Sequence, residues 1–142
     1  MANDLIPYKR PGQDVTCLAA AAVTGKKCVQ IQAAKAEHAE GLATTAGGGQ
    51  YKVAHPNGGG GCLGAGKRIF GVAKYDASTG KQVGVVSEGI VPITAGAGIT
   101  AGQEVEVTAT GTVIPLNTGI AIGLACDDAA NGADAEIALY YS

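Results

Sequence analysis

From Ile69 onward the sequence alternates apolar and polar residues in short runs broken by turn residues, and no other feature constrains the fold as much. Residues 104–110 show the pattern most clearly. Side chains point to opposite faces at every step of a strand, so Val105, Val107 and Ala109 are expected to face in and Glu104, Glu106 and Thr108 out. Residues 76–80 (Asp-Ala-Ser-Thr-Gly) read as a turn between strands at 69–75 and 82–87. A further strand at 89–94 contains Pro92, whose missing N–H assigns it to a sheet edge or a bulge. Small residues connect 95–102, and Gly111 turns the chain into a strand at 112–116. Ile120, Ile122, Leu124 and Cys126 are expected to share a face. A loop at 127–132 follows, and Ala135, Ile137, Leu139 and Tyr141 form a last buried stripe. Short strands at this spacing predict an all-β fold, a small barrel or sandwich.

The N-terminal half is less regular. Residues 1–13 read as an extended arm, because Pro7 and Pro11 exclude regular helix and Leu5, Ile6 and Tyr8 have no periodic partner nearby. Residues 14–32 read as a hairpin turning at Val23-Thr24-Gly25. Residues 33–42 are rich in Ala and Glu and predict a short helix closed by Gly41. Residues 43–66 carry glycine runs at 47–49 and 58–61 and predict a loop. The organisation expected is an arm, 1–13, followed by one β-rich domain, 14–142, with 33–66 as a helix-plus-loop insertion. An internal echo is also present: Val23-Thr24-Gly25-Lys26-Lys27-Cys28-Val29 resembles Ile99-Thr100-Ala101-Gly102-Gln103-Glu104-Val105. Duplication and ordinary hairpin grammar explain it equally well.

Charge divides the chain. Residues 1–81 hold ten bases and five acids; residues 82–142 hold seven acids and no base. The net charge of −2 argues against general nucleic-acid binding, and the asymmetry suggests two ends facing different partners. Only 15% of residues are charged, which is low for a free monomer and points to a subunit of an assembly. No apolar run is long enough to span a membrane. The four cysteines have no CxxC spacing and no signal peptide opens the chain, so an intracellular, reduced protein is expected. A Cys17–Cys28 bridge across the first hairpin is possible but not needed.

Catalytic and ligand-binding constellations are weak. The segment 61–67 has GxxxxGK spacing, but Arg68 stands where a phosphate loop needs Ser or Thr, and a strand follows where a helix is required. His38 and His55 are the only histidines and read as solvated surface residues. None of Ser78, Ser87 and Ser142 lies in a nucleophile elbow. Glu104 and Glu106 share a strand face, where they repel unless solvated or matched by a basic surface. Asp127-Asp128 opens a turn. No catalytic residue, cofactor or metal is expected.

The β-half resembles the small capsid cement, or decoration, proteins of tailed bacteriophages. The resemblance is carried by the order Phe70-Gly71-Val72-Ala73, Val83-Gly84-Val85-Val86, Glu88-Gly89-Ile90-Val91-Pro92-Ile93, residues 97–105, Gly111-Thr112-Val113, Ile122-Gly123-Leu124-Ala125 and the strand 135–141. With the Ala-rich segment 19–31 it covers about two-thirds of the chain; the stretch 33–66 departs from the compact pattern. The resemblance implies a β-barrel-like domain without catalytic activity. It also implies a homotrimer made in the host cytoplasm that sits on the outer capsid surface of the virion and bridges neighbouring major capsid subunits. In that setting Leu5, Ile6, Tyr8 and Arg10 of the arm are expected to anchor to the capsid or to a neighbouring copy.

Two other classes compete. A group-carrier module of the biotinyl or lipoyl type would present a modified lysine at a hairpin tip, but no lysine follows Lys81. A glycan- or receptor-binding β-domain would need exposed aromatics, and five Tyr and one Phe are few and scattered.

Overall fold

The computed structural model describes residues 14–36, 50–56 and 68–140. Every regular element among them is a strand: β1 (Val15–Ala19), β2 (Cys28–Ala36), β3 (Gln50–Ala54), β4 (Ile69–Ala73), β5 (Gln82–Val86), β6 (Gly89–Thr94), β7 (Glu104–Val107), β8 (Val113–Pro115), β9 (Gly123–Ala125) and β10 (Asp134–Leu139). The first five close into a barrel of order β1-β3-β2-β4-β5, and the second five form a sheet of order β6-β10-β9-β7-β8. The all-β barrel expected from the sequence is present, and Pro92 lies on β6, an edge strand of its sheet, as its lost donor requires.

The two units are the same design used twice. In the first, β1 lies between β5 and β3, with Ala20 N–H donating to Val53 O at 2.8 Å. In the second, β6 pairs with β10, and a parallel bridge from Ala95 to Val113 rolls the sheet toward closure, with Gly96 N–H donating to Val113 O at 2.8 Å. The turns repeat atom for atom. Val23 and Ala77 exchange backbone bonds of 2.8 and 3.0 Å, and Ile99 and Ala129 exchange bonds of 2.8 and 2.9 Å. The Asp76 carboxylate accepts from Gly25 N–H and the Asp128 carboxylate from Ala101 N–H, each at 2.8 Å. Lys26 N–H bonds Ala73 O as Gly102 N–H bonds Ala125 O, again at 2.8 Å. Lys26 (φ 62°) and Gly102 (φ 87°) occupy the same left-handed turn position. The echo in the sequence is therefore a structural duplication.

The buried side chains match as well. The barrel is filled by Cys17, Val29, Val53, Ala73, Val83 and Val85. The corresponding positions of the rolled sheet are Ile93, Val105, Val113, Ala125, Ala135 and Ile137. Branched residues dominate both sets because they pack well on a pleated surface. The two units are not separate bodies: Cys28 and Val72 of the barrel belong to the same buried cluster as the core of the rolled sheet, and Ile69 packs against it.

Several local expectations change. Residues 14–32 do not form a hairpin: β1 pairs with β5 and β3, and β3 is inserted between β1 and β2. The strand partner that the loop reading of 43–66 concealed is Gln50-Tyr51-Lys52-Val53-Ala54, whose alternation is short and flanked by glycine. The short helix is not seen. Residues 33–36 continue β2, because the β3 edge offers them a ladder that a helix too short to stand alone cannot match; residues 37–42 lie outside the described residues. Ala109 is exposed, because β7 ends at Val107 and the chain turns. Leu124 and Cys126 point outward while Ala125 is buried, because β9 is only Gly123–Ala125 and Ile122 packs inward ahead of it. Cys28 carries a free thiol, so the Cys17–Cys28 bridge is not made; the two side chains sit in different buried clusters.

Candidate docking surface

The seam between the two units is held by backbone and side-chain bonds at one end of the rolled sheet. Cys28 N–H donates to Gly111 O and Thr94 N–H to Lys26 O, both at 2.8 Å. The Lys26 ammonium meets the Asp134 carboxylate at 2.8 Å, a half-exposed pair of modest worth. His55 fixes the barrel side of this seam. Its Nε2 accepts from Thr24 N–H at 2.8 Å, and its Nδ1–H donates to Cys28 O at 2.8 Å, which defines the neutral tautomer. His55 is thus a half-buried structural residue and not the solvated one the sequence suggested. His38 and the GxxxxGK segment at 61–67 lie outside the described residues; Arg68, which follows, is exposed and leads directly into β4.

Beside the seam a cleft of about 260 Å³ opens between the units. Arg68, Phe70 and Ser87 line it from the barrel, and Ile122, Leu139 and Tyr140 from the rolled sheet. Three of these are mobile-charge or hydroxyl groups and three are apolar, and no nucleophile–base pair is among them.

The carboxylates that looked unmatched are satisfied internally. Glu106 accepts from Asn117 N–H at 2.6 Å and Gly119 N–H at 2.9 Å, so it pins the loop after β8. Glu104 accepts from the Tyr140 hydroxyl at 2.9 Å, and that bond holds the phenol above its usual range. Asp128 caps the 101 turn, as expected for Asp in a turn. Burial pushes the Cys28 thiol up to about 12, which keeps it protonated and unreactive. Among the described residues no group of three or more His, Cys, Asp or Glu converges on a metal position.

Two features bear on docking: the division of charge along the sequence and scattered apolar exposure. The part of the chain up to residue 88 holds ten bases and six acids, and the part from residue 89 holds six acids and no base. The sequence boundary of charge is therefore close to the boundary between the two structural units. Among the described residues, Ile31, Tyr75, Ile90, Leu116, Leu124 and Tyr140 are the large apolar side chains left exposed. Where the described residues begin, Lys74 holds the Asp14 carboxylate at 2.5 Å, which raises the pKa of that lysine, and Val15 pairs with Val85. Leu5, Ile6, Tyr8 and Arg10, the anchor residues expected from the sequence, lie outside the described residues.

A family model described as phage cement protein matches residues 9–140. The chain belongs to the phage cement protein family. It is also similar in fold to the solved head fiber gp8.5 N base of bacteriophage phi29, with a TM-score of 0.60 and 16% sequence identity. That likeness covers 90% of this chain and 93% of the other. No curated protein matches the sequence. Membership makes this a capsid-associated structural protein of a phage. The resemblance read from the order of strands in the β-half pointed to the same family, and the match extends it through the irregular N-terminal half.

Proposed function

We propose that this chain is a non-enzymatic cement protein that binds the outer surface of a phage capsid and bridges neighbouring major capsid subunits as a homotrimer. The observation that carries the reading is the cement-family match across both structural units. The chemistry of the described residues agrees with it. The carboxylate doublets are occupied by internal donors and the buried thiol is held protonated, so docking is the work left for the surface.

Stabilisation would come from area buried across capsomer junctions. Each contact is weak, but symmetry-related contacts made together raise the effective affinity without any new chemistry. The basic and acidic parts of the chain give such a bridge two electrically different ends. Leu5, Ile6, Tyr8 and Arg10 act as the anchor, and they precede in sequence the Asp14 that Lys74 holds on the barrel. Synthesis in the host cytoplasm suits a protein whose Cys28 is a free thiol.

The test is deletion of residues 1–12. The deleted protein should keep the solution mass and circular dichroism of the full chain while losing sedimentation with empty capsids. Unchanged capsid occupancy would remove the arm from the mechanism.

A further inference from the structure

The duplication allows each unit's surface to be compared with its counterpart, and two positions disagree. Val72 on β4 is 4% exposed because it packs into the seam, whereas Leu124, the same position on β9, is 37% exposed. Val107 on β7 is 3% exposed at the seam end of the rolled sheet, whereas Ile31, the same position on β2, is 40% exposed. Inside the chain, the barrel face carrying Lys26, Cys28 and Val72 is pressed on the end of the rolled sheet carrying Thr94, Gly111 and Asp134. The rolled sheet has an equivalent face, around Gly102, Glu104 and Leu124, that among the described residues packs on no second unit. The barrel has an equivalent end, at Leu18 and Ile31, that among the described residues receives no second unit.

We propose that the Leu124 face of the rolled sheet docks head to tail on the Ile31 end of the barrel in a second copy of this chain. The contact would repeat between copies the interface already made within one. Charge favours this pairing. Leu124 lies opposite Glu104 on β7 and Ala138 on β10, with Glu136 one step along the same face. The receiving end carries Lys52, level with Leu18 on β1, and Lys81, whose carbonyl accepts from Ala19 N–H. An acidic rim around one apolar side chain therefore meets a basic rim around another. Such an interface is heterologous, and barrels and rolled sheets alternate along the assembly it builds, a ring where its rotation closes.

The inference rests on the self-association part of the reading above and not on capsid binding. It is tested by light scattering on Leu124→Asp and Ile31→Asp, each alone and mixed, with urea unfolding to check that each variant folds. Both variants should be monomers. An equal mixture should give two-chain particles only, because each variant lacks one half of the interface and keeps the other. If Ile31→Asp does not fold, the double variant Lys52→Glu with Lys81→Glu supplies the defective receiving end. Wild-type protein that is oligomeric while Leu124→Asp keeps its full mass would overturn this interface and leave self-association standing. A monomeric wild type would overturn both. Two folded variants that stay monomeric when mixed would also overturn the head-to-tail arrangement.

Discussion

The barrel and the rolled sheet share their strand order, turn bonds and pattern of buried positions, yet they differ in almost everything a partner could touch. In the barrel the link from β2 to β3 runs from Ala36 to Gln50; in the rolled sheet the link from β7 to β8 runs only from Val107 to Val113. Lys26 corresponds to Gly102, Arg68 to Ile120, and Val72 to Leu124. The fold is carried by backbone bonds and a short set of branched interior residues, which have to agree in both copies. The outer face is free to diverge, and it has diverged in charge.

Substitutions at matched positions can break this comparison, and the largest effect is expected where both units bring two strands closest. A Cβ on Gly71 would stand 2.5 Å from Val86 O and 2.6 Å from Val85 Cγ1. One on Gly123 would stand 2.6 Å from Ala138 O and 2.6 Å from Ile137 Cγ2. Gly71→Ala and Gly123→Ala should each cost roughly 2–3 kcal/mol in urea unfolding. The two should also move one common transition, because the units share a buried cluster. A cost at one glycine and none at the other would show that the repeat is not structurally equivalent.

The next effect belongs to the barrel alone. His55→Ala leaves Thr24 N–H and Cys28 O without their partner and should destabilise by about 1–3 kcal/mol. The position in the rolled sheet that corresponds to His55 is Pro115, so no matching loss exists there. A variant as stable as the wild type would remove His55 from the seam.

A smaller contrast concerns the left-handed turn. Gly102→Lys forces a side chain to φ 87° with open space around it and should cost about 1 kcal/mol. Lys26→Gly relieves that strain but loses the exposed pair with Asp134, and should fall within about 0.5 kcal/mol of wild type. Equal costs in both directions would contradict the shared turn geometry.

Thiol chemistry gives the gentlest test. At pH 8 an alkylating reagent should label exposed Cys126 in the native protein and reach buried Cys28 only after unfolding, as peptide mass mapping would show. The Cys28 pKa is raised from its ordinary 9.0 to about 12, so the native state holds its proton longer than the unfolded one. Its contribution to stability is therefore complete below pH 9 and is lost as pH rises from about 9 toward 12. Rapid labelling of Cys28 in folded protein would mean the seam opens.

Most of the second unit was legible because its alternation runs uninterrupted between Gly and Asp turns. Val105, Val107, Ala135 and Ile137 are buried where period two places them. The first unit was harder to read for a physical reason. Its strand β3 has five residues between glycine-rich segments, and it separates β1 from β2, so a local hairpin rule gave the wrong partner. The echo at Val23 and Ile99 was the signal that could have corrected this. Carried through from Asp76-Ala77 to Asp128-Ala129, it requires the same strand order twice. The docking faces were less visible. Leu124 reads as one more apolar residue in a strand, and only comparison with buried Val72 reveals its exposure as a difference.

The most direct measurement is co-sedimentation of the purified protein with empty capsids, with its solution mass determined by light scattering in parallel. An oligomer that pellets with capsids at a fixed, saturable stoichiometry is the expected result. Folded protein that stays in the supernatant at every capsid concentration would contradict the account.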